Sequence, residues 1–187
     1  MNDRKKALVI RLAAFGDAII VTPLFRILHE DGYDVTFHTS KGGLEVTRHN
    51  PYIKQYSLHD HNIPPNDKLT QYFAEISKGY DKVINLCESI EGSLAKVPWR
   101  DDFKWTKEKL HEECNKNFYD NTMELAGYHE KKGLNGELFF SSIEETLARD
   151  IRDKYRGKFL VLWSLSGSSV HKAYPFAEHV AKILLDK

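Results

Sequence analysis

The sequence has little of what would mark several common classes of protein. It contains only two cysteines, Cys87 and Cys114, which are too few for a disulfide framework and fit a reducing cytoplasm. Its 27 lysines and arginines balance 27 aspartates and glutamates, so no net charge draws it to nucleic acid or anionic lipid. Apolar runs such as Ala7–Ile10 and Ala18–Val21 are far shorter than the roughly 20 residues of a membrane-spanning helix. We therefore expect a cytoplasmic globular protein without a nucleic-acid partner.

The sequence does contain a repeated alternation of strand and helix signals. Ala7–Leu12 is mostly apolar and short, which is typical of a strand buried on both faces of a parallel sheet. An apolar stripe at helical spacing follows it, made by Ile20, Leu24, Ile27 and Leu28. The succession repeats, and the later predicted strands are Val35–Thr39, Ile53–Leu58 and Lys82–Leu86. This order predicts an α/β fold with a parallel sheet and right-handed crossover connections.

The start of the first helix has two interpretations because of Pro23. In one, Asp17 caps a helix that Pro23 then kinks. In the other, Thr22 is the cap and Pro23 occupies the first helical position. Gly32 is expected to end the helix in both cases.

A second set of start signals follows Gly133–Gly136, which has the composition of a linker. Ser142 and Glu145 have the spacing of a capping box, and they begin a stretch with helical periodicity. Phe159–Ser164 then predicts another buried strand, and a last helix carries apolar residues as far as Leu184. The succession of signals that opened the chain therefore starts again.

We accordingly divide the chain into an N-terminal domain, residues 1–135, and a second part, residues 136–187. The second part is predicted to be a linker and the first helix, strand and helix of an incomplete domain, because one strand cannot form a sheet alone. The alternative is that Phe159–Ser164 extends the first sheet. The uncovered remnant of the second domain is expected to make the chain self-associate.

The turn after the first predicted strand is one candidate site, because ligands of open parallel sheets bind beyond the carboxyl ends of the strands. Gly16 is expected to allow a tight turn with a positive φ. Asp17 is expected to face the crevice at the start of the helix. The alternative is that Asp17 is only a helix cap, worth about 1 kcal/mol.

The turn after Phe159–Ser164 is the other candidate site. Ser168 and Ser169 offer hydroxyls and backbone N–H groups, and Lys172 offers an ammonium group, all near a predicted helix start. This combination suits a phosphate or diphosphate. The sequence has neither the P-loop pattern nor a G-x-G-x-x-G after a strand, which argues against the usual nucleotide-binding loops. A polar loop with a solvated lysine is the alternative.

Two other stretches carry weaker signals. His59 and His61 flank Asp60 in a polar stretch, but histidines at this spacing are more often exposed side chains than metal ligands. Pro98–Trp105 contains three aromatic residues and could form a surface for a sugar or phosphate, or be an ordinary loop. We expect neither a metal nor a cofactor.

The two candidate turns together resemble glycosyltransferase family 9, the ADP-heptose:lipopolysaccharide heptosyltransferases. The resemblance is carried by Leu8–Leu12, Gly16–Ile20 and Thr22–Leu24, and about 150 residues later by Ser166–Ser168 and Lys172–Pro175. It implies a GT-B arrangement, in which two Rossmann-like domains enclose a cleft, with the second domain truncated in this chain. It also implies inverting transfer of a heptose from a nucleotide diphosphate to a lipopolysaccharide core hydroxyl, without a metal.

The resemblance also implies roles for individual residues. Asp17 matches the general base that takes the acceptor proton, Gly16 shapes its turn, and Arg11 matches a basic position on the acceptor side. The groups that hold the donor diphosphate are matched by Ser168, Ser169 and Lys172. The implied partners are a nucleotide-sugar donor and a glycan acceptor, with peripheral contact at the inner face of the membrane.

Two other functions remain open at this point. A half-length relative could bind the acceptor or a partner without catalysing transfer. An unrelated Rossmann-like or flavodoxin-like domain could use the Gly167–Lys172 turn for a nucleotide, in which case residues 159–164 would belong to the first sheet.

Overall fold

The computed structural model describes residues 4–12, 14–59, 64, 68–88, 106–164 and 173–185. The chain divides into two compact units, Met1–Ser141 and Ser142–Lys187. Within the described ranges, no helix combines the length and the apolar character needed to cross a membrane.

In the described residues of the first unit, four parallel strands form one sheet. Its strands are β1 (Lys5–Arg11), β2 (Tyr33–Thr39), β3 (Ile53–Leu58) and β4 (Lys82–Asn85), in the order β3-β2-β1-β4. The predicted α/β fold with a parallel sheet is confirmed. The order reverses direction at β1, because the chain moves outward to β2 and β3 and then returns to the other side of β1 as β4. Such a reversal opens a crevice outside the carboxyl ends of the two strands that flank it.

Helices cover both faces of this sheet. The helices of the first unit are α1 (Phe15–Glu30), α2 (Lys41–Thr47), α3 (Leu69–Ile76), α4 (Lys107–Cys114) and α5 (Phe118–Leu125), with a 3-10 turn at Leu86–Glu88. Side chains of β1 alternate between the faces, so Ala7 and Val9 pack with α1 while Leu8 and Ile10 pack with α3. All four are buried. Burial on both faces explains why β1 has a continuous apolar run rather than an alternating one.

Pro23 lies in the interior of α1, so neither interpretation of the helix start is correct. The cap is Ala14, and the helix runs unbroken from Phe15 to Glu30 before Gly32 adopts a φ of 88°. Proline has no N–H to offer the carbonyl of Ile19. The hydroxyl of Thr22 donates to that carbonyl instead, at 2.7 Å, which compensates for the missing backbone bond.

Residues 134–137 lie against α1 near Pro23. The hydroxyl of Thr22 accepts a hydrogen bond from the backbone N–H of Glu137 at 2.7 Å, and the Glu137 carboxylate pairs with Arg26 at 2.9 Å. A Cβ at Gly136 would lie 2.5 Å from Cγ2 of Ile19, so only glycine allows this close approach. The stretch that looks like a linker in the sequence is therefore packed against the helix.

The second unit contains α6 (Ser142–Lys154) and α7 (Ala177–Leu185). The predicted buried strand at Phe159–Ser164 is wrong, because residues 159–164 form no regular element and Phe159 and Leu162 are almost fully exposed. A strand needs neighbouring strands to satisfy its backbone groups, and the described residues supply no strand that pairs with this one. The described sheet accordingly has four strands and does not include residues 159–164.

We expect the protein to self-associate as its concentration rises. Ile143, Leu147 and Ile151 form one apolar stripe along α6, and all three are exposed. Burying such a stripe between copies removes apolar surface from water. Light scattering should show the average mass rising with concentration, and L147K combined with I151K should suppress the rise. L125K changes an exposed leucine of α5, outside the stripe, and is the control. A monomer at high concentration for the unaltered protein would contradict the expectation.

Candidate functional site

The carboxyl ends of β1 and β4, where the strand order reverses, carry the candidate site. β1 ends at Arg11, and β4 is followed by the turn that begins at Leu86. The two strands are directly paired, with Ile10 opposite Asn85. Groups that follow these strands therefore meet at one edge of the sheet, as Arg11 and Leu86 do.

Arg11 links the end of β1 to the turn that follows β4 and to the start of α1. Its Nη1 donates to the carbonyl of Leu86 at 2.7 Å, and its Nη2 donates to Oδ1 of Asp17 at 2.9 Å. The guanidinium is almost completely buried, so an acidic partner is needed to offset its loss of hydration. The arginine thus holds the carboxylate of Asp17 in one place.

Asp17 is the third residue of α1 and is held through both of its carboxylate oxygens. Oδ1 accepts from Arg11, and Oδ2 accepts from the backbone N–H of Ala14 at 2.8 Å. Asp17 is therefore not the N-cap residue, as the sequence had suggested. It is the N3 residue, and its side chain accepts from the N–H of the N-cap residue Ala14, which is one of the two hydrogen bonds of a capping box. Its side chain remains 17% exposed, so a molecule in the crevice can reach it. The result is a carboxylate of fixed orientation at the edge of the sheet.

Gly16 does not adopt the positive φ that the sequence predicts. It is the second residue of α1, and it is absent from the glycines with positive φ among the described residues. Gly16 has no positive φ because the helix begins at Phe15, one residue before it, so Gly16 already belongs to the helix. Among the residues that the structure describes, none has an atom within 4 Å of a Cβ placed at Gly16. The structure brings Arg11, Gly16 and Asp17 together.

A tight contact between the end of β2 and the start of α2 lies next to the backbone of Arg11. The buried hydroxyl of Thr39 donates to the backbone carbonyl of Arg11 at 2.9 Å. Gly43 approaches this hydroxyl so closely that a Cβ there would lie 2.0 Å from Oγ1. Ser40 caps α2 by accepting from the N–H of Gly43 at 3.2 Å. Sequence reasoning missed Thr39 and Gly43, although paired glycines directly after a strand and a capping serine were a usable signal.

A second polar cluster lies on the α3 face of the same edge. The ring of His38 shares hydrogen bonds with the hydroxyls of Ser57 and Tyr72, both at 2.9 Å, and His59 shares one with Tyr72 at 3.1 Å. Burial lowers the pKa of His38, and the nearby ring of His59 lowers it further. His59 is therefore placed beside Tyr72 and His38, while Asp60 and His61 lie outside the described residues. In the part of the chain that the structure describes, no three His, Cys, Asp or Glu side chains are grouped to hold a metal ion.

The lowered pKa of His38 predicts a loss of stability in acid. The unfolded chain takes up a proton on this histidine below pH 6.5, whereas the folded protein resists protonation until a lower pH. The free energy of unfolding should therefore fall as pH drops below 6.5, by at most about 1.4 kcal/mol per pH unit for one proton. Urea denaturation at pH 7.5 and 5.5 should show a smaller drop for H38Q than for the unaltered protein. Equal drops would remove His38 as the cause.

The residues predicted to bind the donor lie outside the described part of the chain. These are Ser168, Ser169 and Lys172, and the same holds for the aromatic stretch Pro98–Trp105. Their proposed roles stay predictions.

Two solved structures share the fold of this chain. No family model matches the sequence, and no curated protein matches it. A crystal structure of a glycosyl transferase of family 9 from Veillonella parvula DSM 2008 is 18% identical, with a TM-score of 0.63, over 97% of this chain and 60% of that one. The structure of the E. coli ADP-heptose lps heptosyltransferase II is also 18% identical, with a TM-score of 0.51, over 97% of this chain and 61% of that one.

The resemblance to glycosyltransferase family 9 is thereby confirmed at the level of the fold. The four-stranded parallel sheet corresponds to the Rossmann-like domain expected of a GT-B protein. The chain spans about 60% of the length of each of these two structures.

Proposed function

We propose that this chain provides the acceptor side of an inverting glycosyltransferase. The transferred sugar would be a heptose or a related sugar, the donor a nucleotide diphosphate sugar such as ADP-heptose, and the acceptor a lipopolysaccharide-type glycan. The observation that carries the proposal is the Asp17 carboxylate, held by Arg11 and the Ala14 N–H at the strand-order reversal. The shared fold supports it.

The chemistry needs a base on the face of the sugar opposite the leaving group. An acceptor oxygen attacks the anomeric carbon and forms the new glycosidic bond, while the bond to the diphosphate breaks and the diphosphate keeps its electron pair. The acceptor proton passes to a carboxylate oxygen of Asp17. Such base catalysis is typically worth about 10²–10⁴-fold in rate.

Arg11 acts on this reaction through Asp17. Its buried guanidinium is engaged with the carboxylate and with the Leu86 carbonyl, so it positions the base rather than contacting the sugar. Fixed orientation of a base contributes because the reacting groups need no further ordering at the moment of reaction.

The donor side of the proposal rests on the resemblance alone. In it, Ser168 and Ser169 bind the diphosphate through hydroxyl and N–H groups, and Lys172 balances its negative charge. A departing diphosphate is stabilised by such donors and by positive charge. Transfer to a lipopolysaccharide precursor would place the protein in the cytoplasm, in peripheral contact with the inner face of the membrane.

The direct test offers the purified protein ADP-heptose and a deacylated lipopolysaccharide core oligosaccharide. Mass spectrometry detects an oligosaccharide extended by one heptose, and calorimetry measures binding of each substrate. Extension supports the proposal. Acceptor binding without extension would instead favour a half-length binding module. If the protein binds neither ADP-heptose nor the oligosaccharide, the proposed transfer function and the binding-module alternative are both wrong.

A further inference from the structure

The peptide group that joins Leu86 to Cys87 is held from both sides. Its carbonyl oxygen, which belongs to Leu86, accepts from Nη1 of Arg11 at 2.7 Å. Its N–H, which belongs to Cys87, donates to Oδ1 of Asn85 at 3.0 Å. The peptide is planar and trans, so its C=O and N–H point in opposite directions. Asn85 and Arg11 therefore fix the orientation of one rigid group between them.

Asn85 is well placed to set this orientation. It is the last residue of β4 and lies opposite Ile10 of β1, so its backbone is anchored in the sheet. Its bond to the N–H two residues further along forms an Asx turn, which bends the chain as it leaves the strand. Without this acceptor the Cys87 N–H would need another partner, and the peptide would rotate toward one. The Leu86 carbonyl would then point away from Arg11.

The turn after β4 also reaches the backbone next to Arg11, because the N–H of Leu12 donates to Sγ of Cys87 at 3.2 Å. The guanidinium of Arg11 is planar and rigid, so the bond that Nη1 makes to the Leu86 carbonyl also determines where Nη2 lies. Nη2 donates to Oδ1 of Asp17 at 2.9 Å. The position of this carboxylate therefore depends on the direction of one peptide group.

We propose that Asn85 is a positioning residue of the transfer reaction. It turns the Leu86 carbonyl toward Arg11, and Arg11 then holds the Asp17 carboxylate in the orientation that accepts the proton. Asn85 acts through these groups, since its own Oδ1 is engaged by the Cys87 N–H. The inference rests on the proposed function, because only that reaction makes a rate depend on the orientation of Asp17.

One test needs no substrate and follows the Arg11 guanidinium by NMR of nitrogen-15-labelled protein. A guanidinium held through both Nη groups rotates slowly, so its Nη–H groups give separate signals at low temperature. N85A should merge or broaden these signals, because the Leu86 carbonyl is no longer held toward the guanidinium. N85D keeps an oxygen acceptor for the Cys87 N–H and should retain them. The signals are assigned by their loss in Arg11→Lys.

The second test measures sugar transfer, in this chain or in a version extended to the length of its structural neighbours. N85A should lower kcat at least about tenfold, because misplacing a catalytic group slows the chemical step, while KM for the acceptor changes less than about twofold. N85D should keep kcat within about threefold of the unaltered protein. Serine forms the same kind of turn more weakly, so N85S should lie between these two and replaces N85A if that variant does not fold.

Asn50 provides the matched control. It makes the same kind of turn, with Oδ1 accepting from the N–H of Tyr52 at 3.0 Å, but it precedes β3 and so lies at the opposite edge of the sheet. N50A should leave the Arg11 signals and kcat unchanged in the folded protein. Unchanged Arg11 signals in N85A, or equal losses of kcat in N85A and N50A, would show that the inference is wrong while the proposed function stands. If the unaltered protein transfers no sugar at either length, the proposed function fails, and the Arg11 signals alone then decide whether Asn85 positions the guanidinium.

Discussion

Replacing Asp17 by asparagine is expected to slow sugar transfer at least about 100-fold while leaving donor affinity nearly unchanged. The amide has the size of the carboxylate and can still accept the hydrogen bond from the Ala14 N–H. It cannot take up the acceptor proton, so the loss falls on the chemical step. The rate should be measured in this chain, or in a version extended to the length of its structural neighbours if only that version supports transfer.

The same substitution also weakens the fold, which must be separated from the chemical effect. Arg11 is buried and loses its negatively charged partner, so we expect D17N to reduce the free energy of unfolding by about 2 kcal/mol. Transfer should therefore be measured at a temperature where circular dichroism shows D17N to be folded. Donor affinity, measured by calorimetry on the same sample, reports whether the rest of the protein is intact.

The chain supplies a matched control in a second carboxylate that pairs with an arginine of α1. Glu137 pairs with Arg26 of α1 at 2.9 Å, the same distance that separates Asp17 from Arg11. E137Q makes the same acid-to-amide change at a carboxylate that pairs with α1 at Arg26, about nine residues beyond Asp17 and away from the crevice. We expect its transfer rate to match that of the unaltered protein. An unaltered rate in D17N would remove Asp17 from the mechanism, and an equal loss in both variants would indicate a general effect on folding.

Replacing Gly43 by alanine is expected to cost about 3 kcal/mol of the free energy of unfolding. The added Cβ would lie 2.0 Å from Oγ1 of Thr39 and 3.1 Å from its Cβ. Thr39 cannot easily move away, because it is buried, β-branched and bonded to the carbonyl of Arg11. Either α2 must shift or the hydroxyl must give up its bond. Both responses disturb the strand end that carries Arg11.

Urea denaturation of four variants, G43A, G16A, T39A and the double variant T39A/G43A, tests this explanation. G16A is the matched control, because Gly16 also lies in the first turn of a helix, but a Cβ there comes within 4 Å of no atom in the described part of the chain. We expect G16A to be neutral or stabilising by about 0.5 kcal/mol, since alanine restricts the unfolded chain more than glycine does. In a T39A background the clash with Oγ1 is gone, so the cost of G43A should be smaller. A full cost in that background would show that the hydroxyl is not the obstacle.

Several elements could be predicted from the sequence because their signals are local. The strand at Ile53–Leu58 was predicted with its observed bounds, and Gly32 ends α1 as expected. The strand predicted at Phe159–Ser164 failed because an apolar run specifies a tendency to be buried, not the neighbours that bury it. The interpretations of Pro23 failed because the compensating bond from Thr22 depends on a side-chain rotamer.

The candidate site was predicted in part. Arg11, Gly16 and Asp17 were selected from the sequence, and the structure brings them together. The supporting contact between Thr39 and Gly43 was missed, because it joins the end of one strand to the next helix through a distance of closest approach. The cluster of His38 and Tyr72 was missed because its members are 34 residues apart in the chain.

The sequence by itself determined the alternation of strands and helices, and with it the parallel sheet, because apolar spacing is a property of neighbouring residues. Only the tertiary structure decided that Arg11 faces Asp17 and the Leu86 carbonyl at the reversal of strand order. It also decided that Gly16 lies in a helix and that Gly43 packs against the hydroxyl of Thr39. These arrangements depend on which strands lie side by side, and strand pairing is set by the packing of the whole unit rather than by any one segment.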